Sequence, residues 1–94
     1  MKSVVMVAAV AAGLVFAGTA NAQEALAKSS GCMNCHDIAT KKIGPAFKET
    51  AAKYKGKADA EKTLVTKITT ADGHPKVKAS DDDVKSLVKW VLSL

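Results

Sequence analysis

The sequence predicts a small all-α domain, and three observations support this fold class. Apolar residues recur at intervals of three and four near the C-terminus, at Val84, Leu87, Val88, Val91 and Leu92, and this spacing places them on one face of a helix. Glycine, proline and helix-capping residues divide the rest of the chain into segments of helical length. No segment shows the alternation of apolar and polar residues that a half-buried strand requires.

Residues 1–22 have the pattern of a cleaved secretory signal peptide. Lys2 supplies a positive charge near the start, and residues 4–18 form an uncharged, largely apolar run. The Ala-Asn-Ala triplet at 20–22 matches the small-residue pattern before a cleavage site, so cleavage is expected after Ala22. The apolar run is shorter than the roughly 20 residues that span a bilayer as a helix. The sequence therefore predicts an exported protein that is not attached to a membrane after cleavage.

The predicted mature chain, residues 23–94, begins with two short helices. The first is expected over residues 24–30 and is interrupted at Gly31. The second begins at Pro45, a residue suited to the first position of a helix, and continues through residues 46–54. Both segments are rich in alanine, lysine and glutamate, which are good helix formers.

Two further helices are predicted in the second half. Asp59 is placed to begin the third helix, which carries a short apolar stripe ending at Ile68. Residues 69–79 contain glycine and proline and are expected to be irregular. Ser80 is predicted to cap the last helix, because the three aspartates that follow it favour the positive end of the helix dipole.

Charge and size narrow the function of the mature chain. The net charge is +5 for the whole sequence and +4 without Lys2, and every basic residue is a lysine. This charge is small for a nucleic-acid-binding protein, and no aromatic residues interleave with the lysines, so no nucleic-acid partner is predicted. A chain this short buries little apolar surface and usually needs a disulfide, metal or cofactor for stability. A Cys32–Cys35 disulfide would close too small a loop to provide it.

The segment Cys32-Met33-Asn34-Cys35-His36 is the most specific pattern in the chain. The sequence C-x-x-C-H is typical of c-type haem attachment. At this spacing the thiols of Cys32 and Cys35 can form thioethers to the two vinyl groups of one porphyrin. The imidazole of His36 can then bind the iron as the proximal ligand. The predicted cofactor is one covalently bound haem c, which would also stabilise the small core.

Three other interpretations of the cysteine pair are less favoured. A thioredoxin-like redox pair belongs in a βαβ context, which a helical chain does not provide. A zinc site would need Cys32, Cys35, His36 and His74 as its four ligands, but zinc sites typically use two separated ligand pairs. An isolated disulfide explains neither the adjacent histidine nor the small core.

From this motif onward the chain resembles the short bacterial class I cytochromes c. Gly31 before the motif is typical of that family, residues 43–48 (IGPAFK) are similar to its Gly-Pro segment, and residues 89–93 (KWVLS) resemble the end of its C-terminal helix. The resemblance implies short helices wrapped around one haem in a periplasmic protein. It also implies that the carbonyl of Pro45 accepts a hydrogen bond from His36, next to the iron.

The chain departs from this family at the sixth iron ligand, which is usually a methionine shortly before the C-terminal helix. Two of the three methionines belong to the predicted signal peptide, and Met33 lies between the cysteines, where it cannot reach the opposite face of the haem. Counted back from Ser80, the family's methionine position is occupied by His74, which is followed by proline. His74 is therefore predicted to be the distal ligand, with Lys76, Lys78 or water as alternatives. The same loop lacks the tryptophan that often contacts a haem propionate in this family.

Two protein ligands on the iron leave no open site for a substrate, which favours electron transfer over catalysis. The predicted function is a periplasmic monohaem electron carrier, not an enzyme, acting as a monomer or in transient complexes. The alternatives are a haem-based gas-binding or sensing protein and a dedicated electron-transfer subunit of a larger oxidoreductase. Lysines near the haem edge are expected to attract redox partners with acidic surfaces. The candidates are Lys41, Lys42, Lys48, Lys53, Lys55 and Lys57.

Overall fold

The computed structural model describes residues 21–94, and every regular element in this part of the chain is helical. Helix α1 covers residues 21–29, and a 3-10 turn follows at Cys32–Asn34. Helices α2, α3 and α4 cover Phe47–Tyr54, Ala60–Thr69 and Asp81–Leu92. The predicted all-α fold is confirmed.

The predicted signal peptide lies almost entirely outside the described residues, and cleavage after Ala22 stays a prediction. Within residues 21–94, no helix is both long enough and apolar enough to cross a membrane.

Local sequence signals explain where α2 and α4 begin, but they do not explain where α3 begins. Before α4, the Ser80 hydroxyl accepts a hydrogen bond from the Asp83 N–H at 3.1 Å, as predicted. Before α2, the Glu49 carboxylate accepts one from the Ala46 N–H at 2.9 Å, which is the returning half of a capping box. Asp59 is the N-cap residue of α3, yet its side chain makes no capping hydrogen bond. Its φ of −95° and ψ of 9° differ from the extended conformation that directs a capping side chain towards the helix.

Helix α4 packs against both α2 and α3 and contributes three of the eight buried apolar residues. Val84, Leu87 and Val88 are buried on one face of α4, as their spacing predicts. The Trp90 ring meets the Phe47 ring edge-on, with the ring centroids 5.7 Å apart. The remaining buried apolar residues are all alanines: Ala27, Ala46, Ala51 and Ala60. Because alanine buries little apolar area, this core alone stabilises the fold weakly.

Residues 70–80 connect α3 to α4 and carry the predicted distal ligand. Ala71 has a φ of 56°, a left-handed conformation that is uncommon for a residue with a side chain. Gly73 has a φ of 75°, which glycine adopts without strain. The Lys78 N–H donates to the Ser30 carbonyl at 3.5 Å. The loop is thereby held beside the end of α1 and the 3-10 turn.

Candidate functional site

The imidazole rings of His36 and His74 lie close together and nearly parallel in the folded chain. Their centroids are 6.2 Å apart and their planes differ by 10°. When two imidazoles bind one metal ion from opposite sides, each nitrogen–metal bond is about 2 Å long and each nitrogen lies about 1 Å from its ring centroid. The two ring centroids are then about 6 Å apart. The observed separation therefore fits one metal ion bound between the two rings.

His36 is held by the Gly-Pro segment that follows the motif. Its Nδ1 lies 2.6 Å from the Pro45 carbonyl oxygen, so an Nδ1–H donates there and Nε2 keeps a free lone pair. The Phe47 ring stacks on the imidazole at a centroid distance of 5.0 Å and an angle of 27°. The Gly44 N–H donates to the Cys35 carbonyl at 2.7 Å, closing the segment onto the motif. The segment thus sets both the tautomer and the orientation of His36.

Gly44 lies so close to His36 that no side chain fits between them. A Cβ atom at Gly44 would lie 2.5 Å from Cε1, 2.9 Å from Nδ1 and 3.0 Å from Nε2 of His36. The sequence identified Gly44 only as part of a Gly-Pro segment. The contact depends on how the segment folds back over the motif, which the dipeptide alone does not reveal.

Replacing Gly44 with alanine is expected to displace the His36 ring and destabilise the holoprotein by about 1–3 kcal/mol, the usual cost of overpacking. The visible spectrum should change together with the unfolding midpoint in denaturant. Gly56→Ala is the matched control, because Gly56 has a φ of 79° and its Cβ would meet nothing within 4 Å. That variant should lose stability through backbone strain alone and keep the wild-type spectrum. An unchanged spectrum in Gly44→Ala would show that the ring is not fixed by this contact.

His74 is oriented by the same kind of contact as His36. Its Nδ1 lies 2.7 Å from the carbonyl oxygen of Pro75, the next residue. Donation from Nδ1–H leaves Nε2 of His74 free as a metal ligand. Sequence reasoning singled out His74 by position but did not predict this hydrogen bond, for which the His-Pro dipeptide is the only local signal.

The thiols of Cys32 and Cys35 are free and half-buried beside His36. The Cys32 carbonyl accepts hydrogen bonds from the N–H groups of Cys35 at 3.2 Å and His36 at 3.0 Å. The Lys42 ammonium donates to the Met33 carbonyl at 2.9 Å, which ties this turn to the following loop. The local hydrogen bonds make the motif a compact turn.

Two features of the motif argue against the alternative sites. Burial raises the pKa of the Cys32 thiol, and a backbone hydrogen bond offsets this only in part. A redox-active dithiol needs a lowered thiol pKa instead. Nowhere in residues 21–94 do three or more His, Cys, Asp or Glu side chains converge to hold a metal ion, so the less favoured zinc set of Cys32, Cys35, His36 and His74 is not brought together.

Two cavities meet at the histidine pair. The first, about 620 Å³, is lined by Cys32, Cys35 and Ile43 among others, and the second, about 530 Å³, lies between α2, α3 and α4. His36 and His74 line both cavities. Both volumes lie in the range of ligand pockets. A flat group centred between the two imidazoles would therefore extend into both cavities, and a porphyrin has this shape.

The lysines that line the cavities differ from those suggested by the sequence. Of the six proposed for the haem edge, Lys53 alone lines either cavity. The lysines beside the first cavity are Lys28, Lys76 and Lys78. They come together because the loop over residues 70–80 folds against the end of α1, a tertiary contact between segments far apart in the chain.

Comparisons with known proteins show which family the chain is similar to. A cytochrome c family model matches residues 20–94. The chain is 41% identical over 92 residues to cytochrome c-552 of Nitrosomonas europaea, covering 89% of each protein. It is 39% identical over 102 aligned positions to cytochrome c-551 of Pseudomonas aeruginosa, covering 99% of this chain and 98% of that protein.

Solved structures of cytochromes c also match the chain. The crystal structure of wild-type Nitrosomonas europaea cytochrome c552 matches with a TM-score of 0.67 at 40% identity, over 76% of this chain and 98% of the other. The class 1 cytochrome MtoD of Sideroxydans lithotrophicus ES-1 matches with a TM-score of 0.65 at 38% identity, over 78% of this chain and 92% of the other.

Proposed function

The chain belongs to the cytochrome c family, and we propose that it is an exported, periplasmic carrier whose single haem iron is bound by His36 and His74. Like its relatives, the protein is an electron carrier that contains covalently bound haem c, and it is not an enzyme. The observation that carries the assignment of the iron ligands is the pair of nearly parallel imidazoles, with centroids 6.2 Å apart and planes 10° from parallel.

The residues of the motif and the two prolines have distinct roles in this proposal. Haem c supplies a one-electron iron couple when bound. Cys32 and Cys35 hold the porphyrin by thioethers, and His36 is the proximal ligand. The Pro45 carbonyl accepts the Nδ1–H of His36, which would leave Nε2 available to bind the iron. With His36 and His74 both binding the iron, no protein-free coordination site would remain for a substrate.

The histidine pair also determines whether the reduction potential lies above or below that of methionine-ligated relatives. An imidazole stabilises ferric iron more than a thioether does, whereas methionine ligation raises the potential. The potential is therefore lower than in methionine-ligated relatives, and the carrier accepts electrons from stronger reductants.

The lysines beside the first cavity favour redox partners with acidic surfaces. Among these lysines, Lys28 forms an exposed ion pair with Glu24, with 3.6 Å between Nζ and Oε2.

Spectroscopy of the purified holoprotein tests this proposal. The oxidised protein should be low-spin, should lack the near-infrared band of sulfur–iron ligation, and should not bind CO when reduced. Its electron paramagnetic resonance signal should be rhombic. Two parallel imidazole planes interact with the same iron d orbital, so the energies of two otherwise similar d orbitals become different. Perpendicular planes would interact with one orbital each and leave the two energies nearly equal. The mass should equal residues 23–94 plus one haem. Binding of CO by the unmodified protein would instead support the gas-binding alternative.

A further inference from the structure

Gln23 becomes the first residue of the exported chain, and we propose that its side chain then closes on its own α-amine to form pyroglutamate. The inference rests on the cleavage after Ala22 that belongs to the proposed export, but not on the haem or its ligands. It assigns a covalent modification to the start of helix α1.

The reaction needs nothing beyond a glutamine at a free N-terminus. The amine nitrogen attacks Cδ of the same residue, the N–Cδ bond forms, and the Cδ–Nε2 bond breaks. Nε2 leaves as ammonia and takes one proton from the amine. No electron is transferred and no water is consumed, so no oxidant, reductant or co-reactant is required. The product is a neutral lactam ring at residue 23.

The surroundings of Gln23 leave the attacking amine free. Gln23 lies in the first turn of α1, and Asn21 and Ala22 before it are exposed, so the amine released by cleavage lies at the surface. Glu24, the adjacent acidic residue, pairs with Lys28, with 3.6 Å between Oε2 and Nζ. The ordinary pKa of an α-amine is about 8, so part of it is unprotonated and nucleophilic at neutral pH.

The carboxamide of Gln23 is poorly satisfied in its open form. Its Oε1 is buried and accepts no hydrogen bond within the described part of the chain. A buried acceptor without a donor destabilises the fold. Ring closure bonds Cδ to the backbone nitrogen that Ala22 leaves exposed, which draws the carbonyl out of its buried place. The modification therefore removes an unsatisfied polar group.

Cyclisation also changes the charge at the start of α1. The first N–H groups of a helix carry partial positive charge, which repels an α-ammonium group. The lactam removes that ammonium, as acetylation of a terminus does. Helix α1 supports the site, because Ala27 is fully buried and the Ser30 carbonyl after the helix accepts the Lys78 N–H at 3.5 Å. A blocked terminus thus stabilises the helix beside the loop that carries His74.

The N-terminus of the exported holoprotein tests the inference. The intact mass should equal residues 23–94 plus one haem less one ammonia, and this ammonia is the one correction to the mass given for the proposed function. Sequential degradation from the N-terminus should release no residue until pyroglutamyl aminopeptidase has removed the first one, after which Glu24 should be read first. A Gln23 that stays open after purification and after incubation at neutral pH would overturn the inference.

Gln23→Asn is the matched control. Asparagine keeps a carboxamide at the terminus, but its ring would be one atom smaller and too strained to close. The variant should keep its full mass and be sequenced from its first residue, and a blocked terminus in it would overturn the inference by revealing another cause of blocking. Its free ammonium should make amide hydrogen exchange in α1 roughly twofold to fivefold faster than in the wild type. Equal exchange rates would overturn the stabilising role of the ring.

The result is separate from the rest of the proposed function. Cleavage at a bond other than the one after Ala22 would overturn this inference and the predicted cleavage site together, but it would leave the haem and its ligands intact. Pyroglutamate at residue 23 on a chain without haem would uphold the inference and contradict the haem.

Discussion

Replacing His74 with alanine is expected to convert the oxidised iron from low-spin to high-spin and to let the reduced iron bind CO. The imidazole of His74 lies nearly parallel to that of His36, with the ring centroids 6.2 Å apart. Its removal leaves a water molecule or an empty position in place of a strong nitrogen donor. Optical spectra of the oxidised, reduced and CO-treated holoprotein measure the change. The covalent attachment at the cysteines should keep the haem in place during these measurements.

Methionine at the same position is expected to have a different effect. His74→Met supplies the thioether found in the family, so the near-infrared sulfur–iron band should appear and the potential should rise above that of the wild type. Lys76→Ala and Lys78→Ala are controls, because both lysines line the first cavity close to His74. If His74→Ala keeps the low-spin spectrum and the potential, His74 is not the ligand, and one of these lysine variants should become high-spin.

The haem-free polypeptide is expected to lose its stable fold. Replacing both Cys32 and Cys35 with alanine prevents thioether attachment, and the variant can be purified without haem. In the described part of the chain, half of the buried apolar residues are alanines, and two cavities of about 620 Å³ and 530 Å³ lie beside this core. Without the haem, the apolar walls of both cavities meet water. The expected loss is about 5 kcal/mol or more, comparable to the whole stability of a small domain.

Circular dichroism of the variant and of the wild-type holoprotein measures this effect. The haem-free chain should show reduced helix content, weak near-ultraviolet signals and a broad thermal transition, as in a molten state. Cys32→Ala alone retains one attachment site and should be intermediate. A cooperative melt with native-like helix content in the double variant would show that the polypeptide core is sufficient.

Helix positions were largely predictable because their signals are local. Ser80 and the aspartates after it predict the start of α4, and the structure has the Ser80–Asp83 capping bond. Asp59 occupies the N-cap position of α3, but its side chain makes no capping hydrogen bond, and its backbone lacks the extended conformation that such a cap uses. A residue type favours a cap, but φ and ψ at that position decide whether it forms, and these depend on the connection between helices.

The lysines show the limit of sequence reasoning about surfaces. Lys41, Lys42 and Lys48 are close to the motif in sequence, yet Lys42 binds the Met33 carbonyl and none of the three lines either cavity. Lys67 was not among the lysines proposed for the haem edge, although it lines the second cavity. Nearness in the chain does not predict nearness to a cavity whose lining residues come from segments far apart in the sequence.

The sequence by itself determined the helical class, the C-x-x-C-H motif and the candidate pair of His36 and His74. These features depend on residue spacing and on which residue types are present, and both can be counted along the chain. The tertiary structure alone decided that the two imidazoles lie parallel, that Gly44 must lack a side chain against His36, and that Lys53 and Lys67 share a cavity. Each of these relations joins segments whose distance is set by how α2, α3 and α4 pack, and side-chain packing has no periodic signature in the sequence.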